Sequence, residues 1–203
     1  PIGGTSWWLD PICLGRYPDT TGYSYEAYIP DTTAEDMKII SQPIDFIGMN
    51  VYQTYRGKAG ENGTCITIPN DPGYARTNAE WPVTPEALYW GPKFYEERYH
   101  TKLYITENGL SNQDWIFLDG QVHDLQRIDF LHRYLYQLKR AVEEGISVEG
   151  YFHWTLTDNF EWISGYNNRF GLVYTDFKNQ NRIIKDSGKW YRQVIETNGE
   201  IIK

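Results

Sequence analysis

The chain has 203 residues, 40% hydrophobic and 16% aromatic, which is enough for a single domain with a sizeable core. Charged residues make up 23% and are scattered, which argues against a disordered chain; a net charge of −8 with no basic stripe argues against a nucleic-acid partner. No apolar run approaches the ~20 residues of a membrane span and no signal peptide is visible, so no membrane partner is expected and the cytoplasm is the expected compartment.

Residues 1–31, rich in Gly, Pro and aromatics, read as an ordered loop with a short helix. The chain begins at Pro1 without Met, so a preceding segment is expected. Cys13 and Cys65 are too few for a disulfide framework and sit in no CxxC pair, so both read as thiols. In "TTAEDMKIIS", Thr33 is placed to cap a short helix with Asp36 three positions on. "PIDFIGMN" is a compact apolar strand opened by Pro43 and closed by Asn50. Residues 53–82, studded with Gly, Asn and Pro, read as a long loop. "TPEALYWGPKFYEERY" predicts a helix with Thr84 as N-cap and Pro85 at its first position, interrupted or kinked at Gly91-Pro92.

"KLYITENG" is the second strand. In "DLQRIDFLHRYLYQLKRAVEEG", Ile128, Leu131, Leu135, Leu138 and Val142 recur at spacings of three and four, predicting a helix capped by Asp124 and stopped by Gly145. "SVEGYFHWTLTDNFEW" is a third strand running into a polar-aromatic loop, and "DSGKWYRQVIETNG" closes as a helix stopped by Asn198 and Gly199. Alternating strands and helices imply a parallel sheet with helices outside. Ligands of such sheets sit at the carboxyl ends of the strands, where Asn50, Glu107 and the segment from Trp154 to Glu161 all lie.

Two Glu-Asn-Gly triplets occur. Glu61-Asn62-Gly63 lies in a polar loop and reads as a solvated turn. Glu107-Asn108-Gly109 ends an apolar strand, where an unpaired buried carboxylate costs several kcal/mol, so Glu107 is either ion-paired or functional. The next strand adds Trp154, Asp158, Glu161 and Trp162 within nine residues. Carboxylates bond vicinal hydroxyls and indoles stack on pyranose faces, so this mixture suits a sugar pocket. The four histidines lack ligand spacing, and no nucleophile elbow, phosphate loop or dinucleotide fingerprint is present, so no metal and no cofactor is expected.

"YITENGL", "DFIGMNVYQTY", "WWLDPICLGRYP" and "GYFHWTLTDNFEWISGYNNRFGLVYTDF" together resemble the C-terminal portion of glycoside hydrolase family 1, the retaining β-glucosidase family. The resemblance covers essentially the whole chain. It implies an α/β fold that is the C-terminal part, about strands 6 to 8, of a (β/α)8 barrel, with 1–203 as one partial catalytic domain. By the same resemblance Glu107 is the nucleophile, and Tyr52 hydrogen-bonds and orients it. Asn50 lines the same subsite, Trp154 forms the floor under the sugar, Glu161 and Trp162 bind glycone hydroxyls, and Phe170 sits near the sugar's C6 end. Asp158 and Asn159 are assigned to loop structure, since Asx side chains commonly satisfy local backbone.

The family's general acid is a Glu in an Asn-Glu-Pro motif, and no Asn-Glu pair occurs here. Three strand-helix units are also short of the ~250 residues typical of a complete barrel. The expected partners are therefore a β-glucoside or oligosaccharide substrate and a complementary N-terminal barrel half that supplies the acid. Rival readings are an inactive fragment, a non-catalytic sugar-binding or thioglucosidase relative, and a 6-phospho-β-glycosidase; the last is disfavoured by Glu161 and Phe170.

Overall fold

A computed structural model describes residues 4–19, 26–61 and 64–203. In chain order the elements are α1 (Thr5–Leu14), α2 (Ala34–Ile40), β1 (Ile47–Asn50), β2 (Arg56–Ala59), β3 (Cys65–Ile68), α3 (Ala87–Tyr99), β4 (Leu103–Asn108), α4 (Leu125–Glu143), β5 (Val148–His153), β6 (Val173–Thr175), β7 (Arg182–Ile184) and α5 (Asp186–Glu196). The three predicted strands form one parallel sheet in the order β1-β4-β5, and two antiparallel hairpins, β2-β3 and β6-β7, stand apart from it. Ile47, Met49, Leu103 and Ile105 of the sheet are buried with Leu88 of α3 and Leu131, Tyr134 and Leu138 of α4 in one core. The side chains that alternate with them face away from that core: Phe46 is 51% exposed and Phe152 58%. Those exposed rings lie on the far face of the sheet from that core, and among the described residues β1 and β5 are its two edges.

Local chemistry explains most of the elements. Thr33 Oγ1 accepts from the Asp36 N–H while the Asp36 carboxylate accepts from the Thr33 N–H, a reciprocal cap for α2. Helix α4 buries Phe130, Leu131, Tyr134, Leu135, Leu138 and Ala141; of the residues predicted for its apolar face, Val142 is exposed. Cys13 and Cys65 are free thiols.

The short helix expected in the N-terminal stretch is the ten-residue α1. Several other expectations are corrected. Helix α3 begins after Thr84 and runs through Gly91-Pro92, because burial of Ala87, Leu88, Tyr89 and Tyr99 outweighs the one hydrogen bond that Pro92 cannot donate. Thr84 is no side-chain cap: its hydroxyl accepts from Thr54 N–H and its own N–H donates to the Tyr134 hydroxyl, tying the segment after β1 to α4. Asp124 is the N-cap residue of α4 as expected, but its carboxylate makes no side-chain cap bond and accepts instead from Ser187 and Arg127. The hairpins were not foreseen because each strand is only three or four residues long. Asn62 and Gly63, with the solvated turn expected there, lie outside the described residues, as do 1–3 and 20–25 of the N-terminal stretch.

Two sets of contacts join the strand ends. Asn108, fully buried, donates from Nδ2 to the Val51 carbonyl (2.8 Å), accepts at Oδ1 from the Tyr151 hydroxyl (2.8 Å), and accepts at its carbonyl from Trp154 N–H (2.9 Å), so one residue links β4 to the ends of β1 and β5. Gly109 follows because a Cβ there would lie 1.9 Å from the Trp154 carbonyl oxygen. Behind the ends runs a buried chain of alternating charge. Arg127 pairs with Asp124 and Asp114, Lys185 bridges Asp114 (2.5 Å) and Asp158 (2.8 Å), and Arg169 pairs with Asp158 (2.6 Å). It fastens the loop after β4, the start of α4, the loop after β5 and the start of α5 into one unit.

Lys185→Met leaves Asp114 and Asp158 short of a buried counter-charge, and is expected to lower unfolding free energy by about 3–5 kcal/mol, read as a fall in the denaturant midpoint. His153 titrates with a sign that can be checked. Its Nε2 meets the Phe170 carbonyl at 3.1 Å and its Nδ1 is buried without a partner; burial, reinforced by the Arg127 charge, pushes the imidazole down to about 3. Below the ordinary histidine value of about 6.5 the unfolded chain takes up a proton that the fold refuses, so stability falls as the pH drops from there. His153→Gln should flatten that acid slope in pH-dependent denaturation.

Candidate active site

Strict alternation along β4 would send Glu107 to the same side as Leu103 and Ile105, into the apolar core. The strand breaks that alternation. Met49 lies opposite Ile105, but the next residue, Asn50, lies opposite Glu107, so Thr106 is an extra residue and the strand bulges. A bulge re-aims the side chains that follow it. Glu107 is thereby half-buried at the strand end, where the Tyr52 hydroxyl donates to its Oε2 at 2.6 Å. Thr106 donates to the Asn50 side-chain carbonyl at 2.7 Å, which fixes that amide beside the same strand end.

Tyr52 packs in a cluster with two other rings. Its ring centroid lies 5.0 Å from that of Trp81 and 6.2 Å from that of Phe170, and Trp81 and Phe170 are 6.1 Å apart. Burial first, then the hydrogen bond and charge of Glu107, hold the Tyr52 phenol far above the ordinary tyrosine range. The hydroxyl therefore remains a donor to the carboxylate at any working pH.

On the neighbouring strand end, Trp154 Nε1 donates to Glu161 Oε1 at 3.2 Å. Burial, with the negative charges of Glu107 and Asp158 against the Trp154 donor, raises the Glu161 carboxyl. That coupling brings Glu161, Trp154, Glu107 and Tyr52 into one electrostatic neighbourhood. Two indole and phenol donors, two carboxylates and an amide at one end of a parallel sheet can bind the hydroxyls of a sugar while one carboxylate faces its ring.

The other sequence candidates are placed as follows. Trp162 begins a short 3-10 turn, Trp162–Ser164, and is 80% exposed. Phe170, expected near a sugar's C6 end, is 3% exposed; its ring packs on Tyr52 and Trp81 and offers little surface to a ligand. Asp158 takes the Gly171 and Thr175 N–H groups and Asn159 bonds the Thr157 carbonyl, the loop roles expected for both, although the ion pairs of Asp158 were not foreseen. Among the described residues no group of three His, Cys, Asp or Glu could hold a metal ion, and no helix is long and apolar enough to cross a membrane. Sequence reasoning missed Trp81, which sits in an aperiodic loop, and the partners Asp114, Arg127, Arg169 and Lys185, whose pairings are long-range.

Comparison with known proteins accords with this geometry. The family profile described as Glycosyl hydrolase family 1 matches residues 4–200. The chain is 42% identical over 192 residues to the 1,4-beta-D-glucan glucohydrolase of Thermotoga neapolitana, covering 94% of this chain and 43% of that protein. It is 40% identical to Beta-glucosidase A of Thermotoga maritima, with the same coverage. The solved beta-glucosidase from Thermotoga maritima in complex with glucoimidazole superposes with a TM-score of 0.86 at 40% identity, over 96% of this chain and 44% of that one. The chain thus spans less than half the length of the curated relatives it matches, and its three strand-helix units are part of a (β/α)8 barrel. On its sequence, its fold and the arrangement of its strand ends, the chain belongs to glycosyl hydrolase family 1.

Proposed function

We propose that this chain supplies the nucleophile and part of the glycone wall of a retaining β-glucosidase, whose general acid comes from a complementary N-terminal barrel half. The observation that carries the proposal is the Tyr52–Glu107 hydrogen bond at the bulged end of β4, beside the Glu161–Trp154 pair. Glu107 attacks the anomeric carbon of a non-reducing-end β-glucoside as the aglycone leaves, forming a glycosyl ester that water then hydrolyses with retention. Such chemistry needs a second carboxyl about 5–5.5 Å away to protonate the leaving oxygen and later to activate water. The same contacts suit a β-galactoside.

Within this mechanism Tyr52 orients the Glu107 carboxylate, and Asn50 and Trp154 line the sugar's edge and floor. Glu161 and Trp162 accept from and stack on the glycone, while Phe170 backs Tyr52 as the wall of the site. A carboxylate at Glu161, already crowded by the charge of Glu107, repels a 6-phosphate, which favours a neutral sugar over a phosphorylated one. Relatives named as glucan glucohydrolase and beta-glucosidase support the same substrate class.

In the complete enzyme, Glu107→Gln is expected to lower kcat by orders of magnitude in steady-state assays with an aryl β-glucoside. Turnover near wild type would overturn the assignment. Tyr52→Phe removes one hydrogen bond to a charged group and should lower kcat/KM by about 10- to 100-fold, with Glu107 still reactive.

A further inference from the structure

Trp81 belongs to none of the strands that carry the proposed catalytic groups, yet it is built into the site with care. Its segment is a tight loop in which Thr77 N–H donates to the Trp81 carbonyl at 2.8 Å and Arg76 pairs with Pro82. Glu80, just before it, adopts a left-handed backbone with φ 61°, a conformation a glutamate takes only when its surroundings demand it. The loop is fastened at three points. Asn78 N–H donates to the Ser111 carbonyl at 3.1 Å, Ala79 N–H to Ser111 Oγ at 2.9 Å, and the Asn78 amide bonds the Asn168 side chain. Ser111 follows the Glu107-Asn108-Gly109 triplet and Asn168 precedes Phe170, so the anchors of Trp81 are the same two segments that flank the site.

From this placement we propose that Trp81 is a positioning residue for the reaction, acting through Tyr52. The proposal rests on Glu107 being the nucleophile. Trp81 and Phe170 pack against the Tyr52 ring at 5.0 and 6.2 Å, with interplanar angles of 56° and 73°, and against each other at 6.1 Å. Tilted and edge-on packing of this kind restricts both rotation and tilt of a phenol ring. The Tyr52 hydroxyl is the group that contacts the Glu107 carboxylate, at 2.6 Å. Displacing a reacting atom by about 1 Å can cost about a hundredfold in rate, so a ring that fixes Tyr52 also fixes the attack geometry of Glu107. Without the indole, Tyr52 keeps its backbone anchor, the Tyr134 hydroxyl on its carbonyl, but loses one wall of its ring.

The test uses the complete enzyme and 2-deoxy-2-fluoro-β-glucosyl fluoride, whose leaving group is fluoride and which has no aglycone for Trp81 to touch. Peptide mapping of the inactivated wild type first locates the adduct. An adduct away from Glu107 removes the functional reading itself and this proposal with it. With the adduct on Glu107, the limiting inactivation rate of Trp81→Leu is expected to fall about tenfold, the low end of what a hydrogen bond to a charged group contributes, and Trp81→Phe to restore most of it. On a Tyr52→Phe background Trp81→Leu should cost little more, because two residues acting through one contact are not additive. An unchanged rate in Trp81→Leu, or a full additional loss on the Tyr52→Phe background, overturns the proposal while leaving Glu107 in place. If Trp81→Leu does not fold, Trp81→Phe and Trp81→His carry the same comparison, and a rate equal to wild type in both overturns it.

Discussion

Three parallel strands must end together for any site to exist at their carboxyl edge, and here that constraint is met by one buried amide. Asn108 bonds the chain leaving β1, the Tyr151 hydroxyl on β5 and the backbone at Trp154. Each partner is a polar group away from water, where an unmade hydrogen bond costs about 1–3 kcal/mol. Gly109 completes the constraint, since the Trp154 carbonyl oxygen occupies the space of any Cβ there. The triplet therefore divides its labour: Glu107 offers a carboxylate, Asn108 holds the strand ends, and Gly109 allows the two chains to touch.

The buried chain from Asp124 through Arg127, Asp114, Lys185 and Asp158 to Arg169 stands behind that seam. Its net worth in stability is modest, because desolvating six charges offsets most of their attraction. Its effect on position is larger. Breaking any pair leaves a buried charge exposed to its neighbours, so the loops after β4 and β5 have one arrangement in which every member is satisfied. His153, adjacent to this chain, is kept neutral by burial and by its cations. The loop that carries Glu161 and the segment that carries Phe170 are thus tied together by the ion pairs of Asp158 with Arg169 and Lys185.

Much of this was legible in the sequence. Three strands, their parallel order and the polar strand ends followed from apolar runs separated by helical periodicity, and the capping box at Thr33 followed from spacing alone. The Glu107–Tyr52 pair was reached through resemblance, and the geometry brings the two together. Most of what was not legible depends on contacts between residues far apart in the chain. Trp81 reaches Tyr52 across 29 positions of irregular chain, Lys185 meets Asp114 across 71, and Thr84 abandons its local capping role for Thr54 and Tyr134. Phe170 is buried against Tyr52, a packing contact that the local sequence around it does not signal. The bulge at Thr106 also escapes periodicity, because a single inserted residue leaves the apolar pattern before it intact.

The central claim is that the bulged end of β4 presents Glu107 as a nucleophile, and trapping the covalent intermediate tests it most directly. The complete enzyme would be inactivated with a 2-deoxy-2-fluoro-β-glucoside bearing a dinitrophenolate leaving group, digested and mapped by mass spectrometry. The account predicts one fluoroglycosyl group per active site, carried as an ester on Glu107 within the peptide containing "YITENGL". A label on Glu161 or on any other residue, or continued hydrolysis of β-glucosides with no label at all, would contradict it.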